Sequence, residues 1–200
     1  EALIRWNHPT RGMVNPQLIA QLCEERGMIG HLTQFVLNTT LRHQTFWRSQ
    51  GVDVSVAINI TALSLADATF PGQVEQALAT WNAHPKRLTL ELTESSIVEN
   101  EGMALEFMNQ LNALGCQLAI DDFGTGYSSF AYLRQFPLRE LKIDQMFVRN
   151  ILKEQGDQRI VHALIDLAHT FEMRALAEGV ESSEAAQMLA NMGCDLAQGY

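Results

Sequence analysis

The chain has 200 residues, of which 46% are hydrophobic and 18% are charged, and its formal net charge is −9. This length suits one globular domain with a full core, which we place over residues 1–200. The acidic balance argues against binding long nucleic acid, and no apolar run approaches the ~20 residues that span a bilayer. With no secretory signal and three widely spaced cysteines, the sequence favours a cytoplasmic domain, while membrane anchoring of the parent protein stays open.

Short, nearly continuous apolar runs recur along the chain, as in parallel strands that are covered on both faces. Strands are predicted for EALIRW (1–6), VSVAINI (54–60), RLTLELT (87–93), CQLAIDD (116–122), ELKIDQMFV (140–148), MRALAEGV (173–180) and DLAQGY (195–200). Helical periodicity predicts helices over residues 15–27, 103–115, 159–171 and 183–193. Strands that alternate with helices indicate an α/β fold.

Two architectures fit this alternation, an open doubly wound sheet and a closed (β/α)8 barrel. Most strand runs carry, near their end, a group able to bind metal or phosphate: Asn59, Glu91, Asp121, Asp122, Lys142, Asp144, Glu178 and Gln198. A barrel collects such groups at one mouth, whereas an open sheet concentrates them at one switch point. The glycine pattern GxGxxG is also missing, so the barrel is favoured.

Oxygen donors dominate this set. The candidate metal ligands are Glu1, Asn59, Glu91, Asp121, Asp122 and Glu178. Carboxylate and amide oxygens suit hard cations such as Mg²⁺ and Mn²⁺, and paired ions are a known solution for cleaving phosphate esters. Taken singly, each residue has a structural alternative, such as a helix cap, a bond to a loop amide or a Lys142–Asp144 ion pair.

An ordered series of motifs runs through the chain: EALIRW, AINIT, LELTES, IDDFGTGYSS, LKIDQMFV, AEGVE and DLAQGY. The chain thereby resembles the EAL domain of bacterial cyclic di-GMP phosphodiesterases. The resemblance implies a modified TIM (β/α)8 barrel of EAL type, here lacking the family's first strand and its C-terminal end. It also implies hydrolysis of cyclic di-GMP to linear pGpG with two Mg²⁺ or Mn²⁺ ions.

The resemblance further assigns roles to single residues. Glu1, Asn59, Glu91 and Asp121 would hold the first metal, and Asp121 would bridge to a second one bound with Asp122 and Glu178. Lys142 would orient the attacking water and Glu178 would act as general base. The residues implied for substrate binding are Leu3, Arg5, Asp144 and Gln198. Glu94 would anchor the glycine-containing loop at residues 122–129. The resemblance also implies a homodimer through this loop region.

Other readings remain open at this point. A catalytically silent EAL-type receptor would bind cyclic di-GMP or a protein partner without turnover. A glycerophosphodiester phosphodiesterase would need a histidine-assisted site, and no histidine lies at a predicted strand end. A purely structural barrel would leave the aligned carboxylates without a purpose. Sensory or GGDEF-type domains flanking this one in the parent protein are compatible with the family.

Overall fold

The computed structural model describes residues 1–99, 101–124 and 133–200. Its strands are β1 (Trp6–His8), β2 (Gly12–Val14), β3 (Val56–Ile60), β4 (Leu88–Thr93), β5 (Gln117–Phe123), β6 (Glu140–Ile143), β7 (Arg174–Ala177) and β8 (Leu196–Ala197). Its helices are α1 (Pro16–Glu25), α2 (Ile29–Ser49), α3 (Ala62–Leu65), α4 (Phe70–Thr80), α5 (Glu94–Glu99), α6 (Glu101–Ala113), α7 (Gln145–Val148), α8 (Gln155–Thr170) and α9 (Ser183–Asn191). Among the described helices, none combines the length and the hydropathy that a bilayer span requires.

Local signals explain where the helices begin. The Asn15 side chain accepts a hydrogen bond from the Gln17 amide at 2.9 Å, and Pro16 occupies the first turn of α1. The Ser182 hydroxyl caps α9 in the same way by accepting from the Ala185 amide at 3.1 Å. Such caps satisfy backbone donors that have no partner within the helix.

The chain divides into two compact units, and the first comprises residues 1–91 and 109–117. Here β1 and β2 form an antiparallel hairpin, and β3 lies beside β4 in strand order. Helix α2 packs against β3, α3 and α4. The fully buried side chains at its centre include Leu37 and Leu41 of α2, Ile58 of β3 and Leu90 of β4.

The second unit comprises residues 92–108 and 118–200. Its strands follow the order β5, β6, β7, β8, and each neighbouring pair is parallel. Helix α8 packs on β6, β7 and α7. The buried apolar side chains of α8, β5 and β6 include Val161, Ile165, Leu118, Ile120, Leu141 and Ile143. The predicted α/β class with parallel strands is confirmed.

Three predicted strands need correction. Residues 1–5 are not a strand; the strand in this region is Trp6–His8, which pairs antiparallel with β2. The run 140–148 leaves the strand after Ile143, since the Asp144 side chain caps helix α7. The last run, 195–200, forms a strand only over Leu196–Ala197.

Helices α2 and α4 did not emerge from the periodicity of the sequence. Helix α2 buries polar side chains at positions that an amphipathic pattern reserves for apolar ones, namely Thr33, Thr40 and Gln44. Gln44 donates hydrogen bonds to the Val54 and Arg87 carbonyl oxygens at 3.1 and 2.8 Å. Because these contacts are tertiary, the sequence pattern carries no trace of them.

Candidate functional site

Strand β5 carries one residue more than its neighbour β6 at its carboxyl end. Ile120 pairs with Leu141, and the next pair is Phe123 with Ile143. Asp121 and Asp122 therefore lie opposite the single residue Lys142, which is the arrangement of a β-bulge. The bulge has a left-handed residue, because Asp122 has a φ of 53°. Aspartate tolerates this region better than most residues with a Cβ atom.

The bulge brings consecutive carboxylates together. In a regular strand, adjacent side chains point to opposite faces. Here one oxygen of each carboxylate of Asp121, Asp122 and Glu178 lies within 4.8 Å of the others. Glu178 follows β7 directly, and its amide donates to the Ile143 carbonyl oxygen of β6 at 3.1 Å. Parallel pairing thus places Glu178 at the same strand ends as the two aspartates.

Lys142 is the cation of this carboxylate cluster. Its ammonium nitrogen lies 3.0 Å from Asp121 Oδ1 and 2.8 Å from Glu178 Oε1. The residue is fully buried, with 0% of its surface exposed. Since a buried ammonium is costly without counter-charges, these two contacts help to stabilise Lys142 at this position.

The pKa of Asp122 shows how strongly negative the cluster is. The pKa of Asp122 is raised to about 6, first by burial and then by the charge of Asp121, a hydrogen bond with Asp144, and the charges of Asp144 and Glu178. Each cause disfavours the ionised form, so a bound cation would relieve them together. Three carboxylates with no soft ligand fit a hard divalent ion such as Mg²⁺ or Mn²⁺.

Glu94 supports the end of β5 from the start of α5. Its carboxylate accepts a hydrogen bond from the Gly124 amide at 3.0 Å, and the residue is only 2% exposed. Gly124 has a φ of 97°, a conformation that favours glycine. This contact is what a loop anchor requires. Residues 125–132, on which the predicted loop dimer depends, lie outside the described residues.

The first unit holds the other predicted ligands. The Asn59 side-chain amide donates to Glu1 Oε1 at 2.6 Å, so these two residues are together at the end of β3. Glu91 lies near the end of β4 and is 2% exposed. Leu3 and Arg5 are exposed, and the Arg5 guanidinium donates to the Ile4 carbonyl oxygen at 2.9 Å.

The remaining predicted substrate residues lie in the second unit. Asp144 accepts a hydrogen bond from the Met146 amide at 2.6 Å, which is the helix-cap role weighed from the sequence. The backbone of Gln198 donates to the Ala177 carbonyl oxygen at 2.8 Å and accepts from the Val180 amide at 3.0 Å. The backbone of the next residue, Gly199, lies close to that of Val180. A Cβ atom at Gly199 would lie 1.9 Å from the Val180 carbonyl oxygen.

Two features of the site escaped the sequence reasoning. The first is the bulge, for which the only signal in the sequence is the pair of aspartates before Phe-Gly. The other is the ion pair of the buried Glu140 with the exposed Arg174, in which Arg174 Nη2 lies 3.0 Å from Glu140 Oε2. Nothing in the sequence marks Glu140, which begins β6, as different from an ordinary strand-edge glutamate.

Comparison with known proteins identifies relatives over the whole chain. The sequence profile of the EAL domain matches residues 1–200. The chain is 39% identical over 200 residues to the cyclic di-GMP phosphodiesterase PdeR of Escherichia coli K12, which covers 100% of this chain and 30% of PdeR. It is 37% identical over 201 residues to the bifunctional diguanylate cyclase/cyclic di-GMP phosphodiesterase MucR of Pseudomonas aeruginosa, covering 100% of this chain and 29% of MucR. The chain thus spans less than a third of the length of these relatives.

Solved structures agree with the sequence relatives. The chain superposes on the PaMucR phosphodiesterase in complex with c-di-GMP with a TM-score of 0.94 and 37% identity, over 98% of this chain and 80% of that one. It matches the EAL enzyme Bd1971 in its cAMP- and cyclic-di-GMP-bound form with a TM-score of 0.91 and 32% identity, over 98% of this chain and 54% of that one. The EAL-type α/β fold predicted from the motifs is thereby confirmed. This chain belongs to the EAL domain family.

Proposed function

We propose that this chain hydrolyses one phosphodiester bond of cyclic di-GMP, releases linear pGpG and so lowers this second messenger in bacterial signalling. The observation that carries the proposal is the gathering of Asp121, Asp122 and Glu178 beside the buried Lys142. Relatives of 39% and 37% identity, PdeR and MucR, are named cyclic di-GMP phosphodiesterases, and a solved MucR structure holds c-di-GMP.

Two Mg²⁺ or Mn²⁺ ions would take part. Their proposed ligands are Glu1, Asn59, Glu91, Asp121, Asp122 and Glu178, with Asp121 shared by both ions. When bound, such ions polarise the phosphodiester and offset the charge that builds up on it. The all-oxygen donor set supports this choice of cation.

Lys142 and Glu178 would act on the attacking water. The Glu178 carboxylate accepts the proton that the water loses as it attacks phosphorus. The Lys142 ammonium orients the water and stabilises negative charge on the reacting oxygens, as preorganised electrostatic groups do. Their 2.8 Å contact supports the proposal, because it brings the proposed base and the proposed electrostatic group together.

Four residues are assigned to substrate binding in this proposal. Arg5 would contact a substrate phosphate, and Leu3, Asp144 and Gln198 would help to hold the nucleotide. Dimerisation through residues 122–129 belongs to the same proposal, as do a cytoplasmic location and flanking sensory or GGDEF-type domains. The name of MucR, which includes diguanylate cyclase activity, supports a cyclase domain in the parent protein.

The decisive experiment is chromatography of the products after cyclic di-GMP is incubated with the purified protein and Mg²⁺. We expect linear pGpG to accumulate. The Glu178→Gln variant, which keeps the shape of the side chain but not its basicity, is the control and should give little product. Tight binding of cyclic di-GMP without any pGpG from the unaltered protein would contradict the proposal and favour a silent receptor.

A further inference from the structure

A second buried charge lies beneath the carboxylate cluster. Glu140 is two residues before Lys142 on β6 and is 7% exposed. Residues two apart on a strand point to the same face, so Glu140 and Lys142 form successive layers on that face. Glu140 has no part in the proposed chemistry, because it lies at the opposite end of β6 from Glu178.

Arg174 holds the Glu140 carboxylate from the neighbouring strand. The two residues are register partners on β6 and β7, and the guanidinium nitrogen lies 3.0 Å from Glu140 Oε2. The Arg174 side chain is 56% exposed, so its charge is partly screened by water. The charges alternate in sign along the series Arg174, Glu140, Lys142 and then the pair Asp121 and Glu178, and Lys142 is its most buried member.

The carboxylates on the far side of Lys142 have competing tasks. Asp121 and Glu178 neutralise Lys142 in the structure, and in the proposed function the same two groups bind divalent cations. A cation placed there draws on their negative charge and also repels the ammonium. Lys142 has 0% exposure and cannot be stabilised by water instead.

We propose that Glu140 is a positioning residue for Lys142: its buried carboxylate supplies the counter-charge that is not shared with the metals, and so lets Lys142 stay in place while Asp121 and Glu178 bind cations. This inference rests on the proposed function. Glu140 would act through Lys142 and would contact neither substrate nor metal.

The surroundings of Glu140 agree with this role. Burial raises the pKa of Glu140, whereas the charges of Arg174 and Lys142 and the hydrogen bond from Arg174 act against that rise; Asp195 adds a small rise. Lys142 is thus among the charges that act on Glu140, as expected for two side chains on the same face of β6.

The test is a double-mutant cycle read out by calorimetric titration with Mn²⁺ alone. Glu140→Gln keeps the side-chain length and an oxygen that can accept from Arg174, but removes the charge. We expect it to weaken Mn²⁺ binding ~10-fold, the lower end of the losses seen when groups behind a metal site are changed. In the Lys142→Met background, the same Glu140→Gln change should have little effect, because the ammonium that it leaves uncompensated is gone.

Two controls keep the test specific. Asp166→Asn removes the same unit of charge from an exposed site on α8, where Asp166 pairs with His162 at 3.1 Å, and should leave Mn²⁺ affinity unchanged. Glu140→Asp keeps the charge and should recover most of the affinity lost in Glu140→Gln. Thermal melts of the metal-free variants establish that each one is folded.

The outcomes separate this inference from the proposed function. Normal Mn²⁺ binding by Glu140→Gln, or a loss of equal size with Lys142 and with Met at position 142, would overturn the role of Glu140. Coupling in the titrations without cyclic di-GMP hydrolysis by the unaltered protein would support Glu140 while refuting the phosphodiesterase proposal. Failure of the unaltered protein to bind Mn²⁺ would overturn both.

Discussion

The Lys142 ammonium lies 2.8 Å from the Glu178 carboxylate, so the two groups with proposed roles toward the attacking water are in direct contact. Each reaches this point from the end of its own strand, β6 or β7, and the parallel register of the two strands fixes the contact. The pair is therefore held by backbone pairing rather than by a flexible loop.

Removing the ammonium should affect turnover more than binding. Lys142→Ala is expected to lose at least ~10²-fold in the rate of cyclic di-GMP hydrolysis and to retain substrate binding, because the lost group stabilises the transition state. Single-turnover kinetics and calorimetry on the same preparation measure the two effects. Normal turnover by this variant would remove Lys142 from the mechanism.

The pKa of Asp122 predicts a pH dependence of stability in the metal-free protein. Burial and the charge of Asp121 raise this pKa from 3.8 to about 6, so between these values the folded protein binds more protons than the unfolded chain. The free energy of unfolding then falls as the pH rises through that window. We expect Asp122→Asn to lack this fall. Denaturant titrations at several pH values compare the two proteins, and parallel pH profiles would contradict the expectation.

The identity of the cation can be tested with three metals. Mg²⁺ or Mn²⁺ should support hydrolysis, because a compact carboxylate set suits an ion with short bonds and octahedral geometry. Ca²⁺ should inhibit, since it prefers longer bonds and more ligands. The measurement is initial rate against metal concentration, with Ca²⁺ added alone and in competition. Full activity with Ca²⁺ alone would rule out this account of the site.

The contact between Glu94 and the Gly124 amide predicts an indirect effect on the metals. Glu94→Ala should weaken metal binding ~10–100-fold, the usual cost of losing a group behind a metal site, although Glu94 is not a proposed ligand. It should also weaken the proposed dimer. Glu94→Gln retains an acceptor oxygen and is the matched control. Metal titration and sedimentation that both match the unaltered protein would refute the anchoring role.

Gly199 should tolerate no side chain. A Cβ atom there would lie 1.9 Å from the Val180 carbonyl oxygen, and that carbonyl belongs to backbone that cannot move aside cheaply. We expect Gly199→Ala to lower the melting temperature by at least ~5 °C, as larger losses of packing do in domains of this size. Gly30→Ala is the control, because nothing lies within 4 Å of its Cβ position in α2. It should be neutral or stabilise the helix by roughly 0.5–1 kcal/mol.

The parallel strands were predictable because their chemistry is local. Short apolar runs with polar groups near their ends located β3 to β7 within a few residues, and the same polar groups contained the proposed ligands. The bulge was not predictable, because it exists only in the pairing of β5 with β6. Glu140 was hidden for the same reason: its burial and its partner Arg174 depend on which strand lies alongside. The first predicted strand, residues 1–6, was wrong because the strand in this region is Trp6–His8, which forms a tight antiparallel hairpin with β2.

Deleting Asp122 alone would turn β5 into a regular strand, with Asp121 opposite Lys142 and Phe123 still opposite Ile143. Phe123 is almost fully buried, so the core would keep its packing. A single in-frame loss of one codon would then remove one proposed ligand and relax a left-handed backbone residue at once. Folding and the proposed chemistry are thus separable at this position.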